Sequence, residues 1–273
     1  MGDFKPLRVA LLTSHSAPGI EQLIADPNRG AAYELALVVG SETTFAEARA
    51  LDEAAIPLEL RPLRKFFGDR GASFRNLRSR GEYDAELADV LLRASIDIVL
   101  LCGWNYILTD ELLNELQGKV LAIHDADLSL RDPEGRRLYA GIHAVRQAVF
   151  AGEPETRSSV YVVTRDIARG PLLLLGQSFP VAQLARDARE RRDDASLVAY
   201  ANLHRRWMRS TGWGEMLVRT MEMVTAGTMQ VIGDVVWFDG APGPCRLGCA
   251  PRACYEPETM VARGIPRSCP FIE

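Results

Sequence analysis

Residues 96–101 read Ile-Asp-Ile-Val-Leu-Leu, an almost continuous apolar run. A strand wetted on one face alternates polar and apolar side chains, so this run suits a strand covered on both faces, as in the middle of a parallel sheet. Working outward, the charged, helix-like stretch Asp84–Ala94 precedes it, and the helical segment Thr109–Leu116, with Thr109 placed to cap it, leads to the next apolar strand, Val120–His124. The same rhythm runs back to the start. Leu7–Leu12 (LRVALL) is followed by a break at Thr13–Gly19, the helical pattern Ile20–Ile24, and a second strand, Leu35–Val39, ending at Gly40. Phe45–Ala55 has helical composition before Pro57, and Leu58, Leu60 and Leu63 alternate beyond it. Strands alternating with helices predict an α/β fold with a mostly parallel central sheet flanked by helices.

After a helix at His143–Ala151 the pattern becomes mixed. Ser158–Thr164 and Pro171–Pro180 look like antiparallel strands about a turn at Ala168–Gly170, Gln183–Thr225 is long, charged and helical, and Met229–Phe238 is broken at Gly233 and Asp234 as a hairpin would be. From Pro242 the chain is rich in Pro, Gly, Arg and Cys. The expected division is a domain over residues 1–240 and a C-terminal tail over 241–273 that adds nothing to its core.

Of 273 residues, 47% are hydrophobic and 25% charged, which is globular composition. A net charge of −4 offers no basic field for nucleic acid. No run approaches the roughly 18 apolar residues of a membrane span, and the opening MGDFKPLRVALLTSHSAPG has too short an apolar stretch for a secretory signal. The expectation is a cytoplasmic protein whose partners are small molecules, with neither nucleic acid nor membrane among them; association into a homo-oligomer is left open. Five cysteines, four of them after residue 244, argue against a disulfide framework. Cys245, Cys249, Cys254 and Cys269 have the thiols for a tetrahedral zinc site, but the close CxxC knuckle is missing and zinc is not the favoured reading. Cys102 reads as a buried core thiol.

Of four histidines, His124 is singled out by its place at the carboxyl end of a strand, where open α/β sheets build their ligand crevices. Asp125 and Asp127 follow it and could orient the imidazole or hold it protonated; a solvated acidic loop is the plain alternative. The charged loop beyond carries Arg131, Arg136 and Arg137, which could meet a phosphate or carboxylate or simply be solvated.

The segments VLLCGWNYILTDELL, VLAIHDADLSL, YAGIHAVRQAVFAGE and RSSVYVVTRDIARGPLLL, with SRGEYDAEL before them and TMQVIGDVVWFDGAPG after, resemble the folate-dependent formyltransferase superfamily, and within it the phosphoribosylglycinamide (glycinamide ribonucleotide) formyltransferases. The resemblance runs from Leu7 to about Gly240. It implies a Rossmann-like formyltransferase fold and a 10-formyl-tetrahydrofolate pocket formed in part by Gly103, Trp104, Asn105, Tyr106, Ile107 and Leu108. It also implies a substrate site at Ser14, His15 and Ser16, with Arg80 as an anion-binding residue and Gly141 and His143 as the family's Gly-x-His step.

Several positions depart from that pattern. The family's catalytic Asn, His and Asp correspond to Ala122, His124 and Ala168, so two of the three are alanine. An alanine methyl neither donates nor accepts a hydrogen bond, and Asp125, Asp127 and Asp166 are the carboxylates at hand to substitute. Pro18 offers no N–H in the loop expected to bind phosphate, and Leu203 stands where the resemblance implies a Glu holding the substrate amine. Two readings follow: an enzyme that formylates some amine other than glycinamide ribonucleotide, or a catalytically silent or repurposed member that binds a folate or nucleotide-like ligand.

Overall fold

In the computed structural model, residues 5–247 are described, apart from 167, 228, 234 and 239. The elements begin with β1 (Leu7–Thr13), α1 (Ile20–Ile24), β2 (Tyr33–Gly40), α2 (Ala48–Glu53), β3 (Leu58–Leu60), α3 (Leu63–Gly68), α4 (Leu77–Arg93), β4 (Ile98–Leu101), α5 (Asp110–Glu115), β5 (Val120–His124) and α6 (Ala144–Ala151). They continue with β6 (Glu155–Thr156), β7 (Ser159–Val162), β8 (Leu172–Leu175), β9 (Phe179–Pro180), α7 (Gln183–Glu190), α8 (Asp194–Thr225), β10 (Met229–Ile232), β11 (Val235–Phe238), β12 (Ala241–Pro242) and β13 (Cys245–Arg246).

The main sheet has the order β13-β8-β7-β5-β4-β1-β2-β3. β4 lies between β1 and β5, parallel to both, and all four of its residues are buried, as its unbroken apolar run demands. Successive side chains leave opposite faces of a strand, and this divides the core. Val9, Leu11, Ile98, Leu100, Leu121 and Ile123 join a cluster with Trp213, Met216 and Leu217 of α8. Ala10, Leu12, Val99, Leu101, Val120 and Ala122 join another with Phe67, Tyr83, Leu87 and Leu112 of α3 to α5. Beyond β5 the sheet turns antiparallel: β7 pairs with β5, and β8 with β7. β10 and β11 form the expected hairpin, with β12 added.

The first helix and the last long one meet through two glycines. A Cβ on Gly19, whose φ is +88°, would lie 2.4 Å from the amide nitrogen of Gly214. α1 therefore starts directly on the backbone of α8, a contact only glycine permits. α8 itself starts at Asp193, whose carboxylate accepts from Ser196 N at 3.1 Å.

Two expectations are corrected. The helix expected from Asp84 starts a turn and more earlier, at Leu77, and so carries Arg80 within it. The boundary at residues 240/241 does not separate a core from a tail: Cys245 and Arg246 pair in parallel with Leu174 and Leu175 at the edge of the main sheet, and Cys245 is buried in its core. A two-residue strand is too short to show any periodicity in sequence. Cys249, Cys254 and Cys269 lie outside the described residues, as does the rest of 248–273. Among the described residues no helix is long and apolar enough to cross a membrane.

Candidate active site

The parallel strands β1, β4 and β5 deliver three loops to the same edge of the sheet. Gly103, the residue after Cys102, has φ +73°, and a Cβ there would lie 2.4 Å from the carbonyl oxygen of Ser16. Glycine thus lets the loop after β4 rest on the loop after β1. Ser14 fastens the pair: its buried hydroxyl accepts from Asn105 N at 3.1 Å and from the Ser41 hydroxyl at 2.9 Å. The Cys102 thiol points at the Pro18 carbonyl, 3.5 Å away. Ser14 was expected at the substrate; its side chain is instead engaged in holding the loops. His15 is exposed, and Ser16 is half-buried and faces a cavity.

His124 ends β5, next to the strand that ends at Leu101. Its imidazole is hydrogen-bonded to the backbone of Gly141, while its Nε2 is buried with no partner. Its pKa lies below the ordinary histidine value, chiefly through burial and then through the charges of Arg205 and Arg209, which together outweigh the carboxylate of Asp125 and the Gly141 bond. At neutral pH the ring is therefore uncharged.

Asp125 does not orient that ring. Its carboxylate is buried and held by two guanidinium groups from α8: Arg205 Nε at 2.6 Å, and Arg209 with Nη2 at 2.6 Å and Nε at 3.0 Å. Burial pushes its pKa up, but Arg209 and then Arg205 prevail and hold it below the usual carboxylate range. Arg209 also lies over the Trp213 ring, 4.6 Å from its centroid. Asp127 closes a local turn, accepting from Ser129 N at 3.0 Å and from the Ser129 hydroxyl, with Arg157 3.6 Å away. The crevice it lines has room for about one water, 10 Å³. Asp166 is exposed, and nothing among the described residues bonds its carboxylate. Neither these two nor Asp125 hydrogen-bonds His124, so the structure does not supply the substitute carboxylate expected from the sequence.

Arg80 is corrected too. It is 2% exposed, donates to the Ile107 carbonyl at 2.6 Å, lies 3.6 Å from Asp84 and sits 5.3 Å from the Tyr106 ring. Asp84 in turn accepts from Thr109 N at 2.6 Å. Arg80 thus buttresses the 103–108 loop from beneath, where no substrate anion reaches it. On the open side of that loop Ile107 is exposed, Leu108 is buried and Tyr106 donates to Glu42 at 3.0 Å. Trp104 carries a buried Nε1 without a partner. Gly141 and His143 are exposed, His143 preceding α6 without a side-chain cap bond. The two alanines both belong to the apolar cluster beneath the loops, Ala122 beside its cross-strand partner Tyr161 and Ala168 at φ +52°. Arg137 spans the turn that holds Ala168, donating to the carbonyls of Ala168 and Gly170, the latter at 2.7 Å.

Two open cavities border this edge. One, of about 460 Å³, is lined by Ser16–Gln22, Glu47, Arg206, Arg209 and Ser210. Glu47 accepts from Ala17 N at 3.3 Å, and burial raises its pKa. The other, of about 440 Å³, lies against the hairpin of residues 131–137. Sequence reasoning missed Arg205, Arg206 and Arg209. In a long charged helix they look like a solvated face, and the spacing of four between Arg205 and Arg209 was the one signal that they share a side. His204, on the same helix, is a core residue, its Nε2 2.7 Å from the Thr156 hydroxyl and its Nδ1 3.1 Å from the Tyr200 hydroxyl.

A family model described as formyl transferase matches residues 7–192. The trifunctional purine biosynthetic protein adenosine-3 of Drosophila melanogaster is 27% identical over 170 residues, which is 61% of this chain and 11% of that protein; the chain thus spans a small part of the curated relative it matches. Among solved structures, the phosphoribosylglycinamide formyltransferase of Coxiella burnetii superposes with a TM-score of 0.63 at 20% identity, covering 87% of this chain and 96% of that one. The formyltetrahydrofolate deformylase of Pseudomonas syringae pv. tomato gives a TM-score of 0.62 at 16% identity, covering 86% and 66%. At these identities the structural likeness concerns the fold.

Proposed function

The chain belongs to the formyl transferase family, and from that premise we propose that it transfers a formyl group from 10-formyl-tetrahydrofolate to a small amine that carries an anionic group and is not glycinamide ribonucleotide. The observation that carries the reading is His124: a neutral imidazole at the C-terminal edge of a parallel sheet, fixed by Gly141, with Nε2 buried and unpartnered. A buried polar atom left without a partner is costly, so a site that keeps one is fitted to a ligand that bonds it. The buried Nε1 of Trp104, on the adjacent strand's loop, makes the same point for the donor. Trp104, Tyr106 and the exposed Ile107 would hold the donor, which supplies an activated formyl group.

In this reading His124 Nε2, with its partner nitrogen fixed, either donates to an oxygen as negative charge develops on it or takes the proton the amine loses; a neutral ring serves both roles near pH 7. The cavity between the loop after β1 and α8 supports the acceptor class. Arg206 provides positive charge for an anion, and Glu47 provides a carboxylate for an amine. Leu203 is exposed and apolar where the resemblance implies a Glu, which supports an acceptor other than glycinamide ribonucleotide. The burial of Ala122 and Ala168 in an apolar cluster favours the second reading, a catalytically silent or repurposed member that binds a folate or nucleotide-like ligand.

The test is turnover of 10-formyl-tetrahydrofolate with a panel of phosphorylated and carboxylated amines, and with water alone, since one solved neighbour is a deformylase. His124→Ala is expected to lose about 100-fold or more of whatever rate is found. Equal turnover in variant and wild type would remove His124 from the chemistry, and no turnover with any acceptor would favour the silent reading. The gene is not expected to restore growth without purines to a cell lacking phosphoribosylglycinamide formyltransferase; robust growth would overturn the acceptor assignment.

A further inference from the structure

Residues 61–80 carry six arginines and a lysine against one acid, Asp69, in a chain whose net charge is −4. Four of these cations are matched. Arg61 pairs with Glu59 at 2.9 Å and Glu86 at 2.8 Å, Lys65 with Asp69 at 2.6 Å and Arg70 with Glu86 at 3.3 Å, and Arg80 lies 3.6 Å from Asp84. Arg64, on α3, and Arg75, in the loop before α4, are exposed and pair with no carboxylate among the described residues. Both nevertheless converge on one ring, the Cζ of Arg64 lying 5.1 Å and that of Arg75 5.6 Å from the centroid of Phe74. The ring offsets part of their repulsion. Two like charges gathered at one side chain without an anion between them still form a clamp open to one.

Phe74 leads from the clamp to the loop after β4. Its ring centroid is 6.3 Å from that of Tyr106, which is 6.0 Å from that of Trp104. Arg64 also bonds the Tyr106 hydroxyl, which donates to Glu42. All three rings are half-buried, so a row of aromatic surface runs from the unpartnered Nε1 of Trp104 to the two arginines. The geometry points to Arg64 and Arg75 as the receptor for a carboxylate on a long organic acid whose flat part lies along Trp104, Tyr106 and Phe74. Guanidinium groups match the two oxygens of a carboxylate by paired donors. An inorganic anion would leave the row of rings unused, and a nucleic-acid backbone would need unmatched cations repeated along it, whereas these two meet at a single ring. The identity of the acid rests on the donor reading above, since Trp104 and Tyr106 are the residues proposed to hold the reduced folate. A folate ends in a glutamate, which further γ-linked glutamates can lengthen, so the carboxylate belongs either to the first glutamate or to an added one. The clamp itself does not rest on that reading.

The experiment is calorimetric titration of wild type and Arg75→Ala with three probes: 5-formyl-tetrahydrofolate, the same folate lengthened to five γ-linked glutamates, and free penta-γ-glutamate. Arg75 is exposed, so the variant is expected to keep the wild-type melting temperature. With the first glutamate in the clamp, Arg75→Ala weakens both folates about tenfold or more. With an added glutamate there, wild type binds the lengthened folate about tenfold more tightly than the short one, and the variant binds the two alike. Equal affinity of the two proteins for all three probes overturns the clamp while leaving the donor reading standing. Failure of both proteins to bind either folate, with penta-γ-glutamate binding that depends on Arg75, overturns the donor reading and leaves the clamp standing. No binding of any probe by wild type overturns both.

Discussion

Two sets of arginines stand near His124, and they spend their charge differently. Arg205 and Arg209 reach from α8 to a buried carboxylate, so their charge is matched inside the protein. Arg137 is held by the carbonyls of Ala168 and Gly170, whereas Arg169 is exposed and meets no acceptor among the described residues. Matched charge is a structural element: it fixes α8 against the end of β5, beside an imidazole that burial above all keeps neutral. An exposed guanidinium without an acceptor, as at Arg169, is available to a ligand. The same residue type thus serves as scaffold on one side of the site and as receptor on the other, and only the acceptor it meets tells the two apart.

The contrast breaks most visibly at Asp125. Asp125→Ala leaves two guanidinium groups facing a buried void, and since removing one partner of a buried pair costs about 3–5 kcal/mol, with Arg205 partly exposed we expect a loss of about 3 kcal/mol, read by chemical denaturation. A loss below about 1 kcal/mol would mean that the pair is no more than a surface contact. The same ion pair predicts a pH dependence. Because the folded pKa of Asp125 is held below its unfolded value of about 3.9, its contribution is present above about pH 4 and disappears as the pH falls through the folded value. Between pH 5 and 3 wild type should therefore lose stability more steeply than Asp125→Asn, and parallel curves would refute the assignment.

On the other side the effects are smaller. Arg137→Ala removes two donors from the Ala168 turn and should cost about 1–2 kcal/mol, read by chemical denaturation. Arg136→Ala breaks only exposed pairs, so stability should change by less than about 0.5 kcal/mol. A larger loss there would show that the hairpin depends on its own ion pairs.

The sheet was legible because its strands carry their burial in their composition: Val120–His124 and the run ending at Leu101 are apolar on both faces and lie side by side as expected. The site was half legible. His124 could be placed at the end of β5 because a strand's end is marked in sequence, whereas the 103–108 loop was singled out by the family resemblance, and its glycine contact with Ser16 is visible only in the structure. What sequence could not show was where a polar side chain spends its hydrogen bonds. Ser14, Asp125 and Arg80 have the chemistry of a binding site, yet Ser14 ties two loops, Asp125 anchors α8 and Arg80 props a loop. Conversely Arg205, Arg206 and Arg209 looked like an ordinary solvated face, because their partners are some 80 residues away or in a cavity.

The short strand at Cys245 has a practical consequence. β8 is four leucines, all buried, and on the side away from β7 it pairs with Cys245 and Arg246, with Leu247 N donating to the Leu175 carbonyl at 2.8 Å. Shortening the chain to residue 243 would strip that cover and lay bare a row of unpaired amides and carbonyls on an all-leucine ribbon, a template on which one molecule can extend another's sheet. Such a trimmed protein should come out of cells as aggregate, and if it stays in solution it should do so as assemblies that grow with concentration. The last few described residues would then act as a stopper against polymerisation, and expression trials should leave them in place.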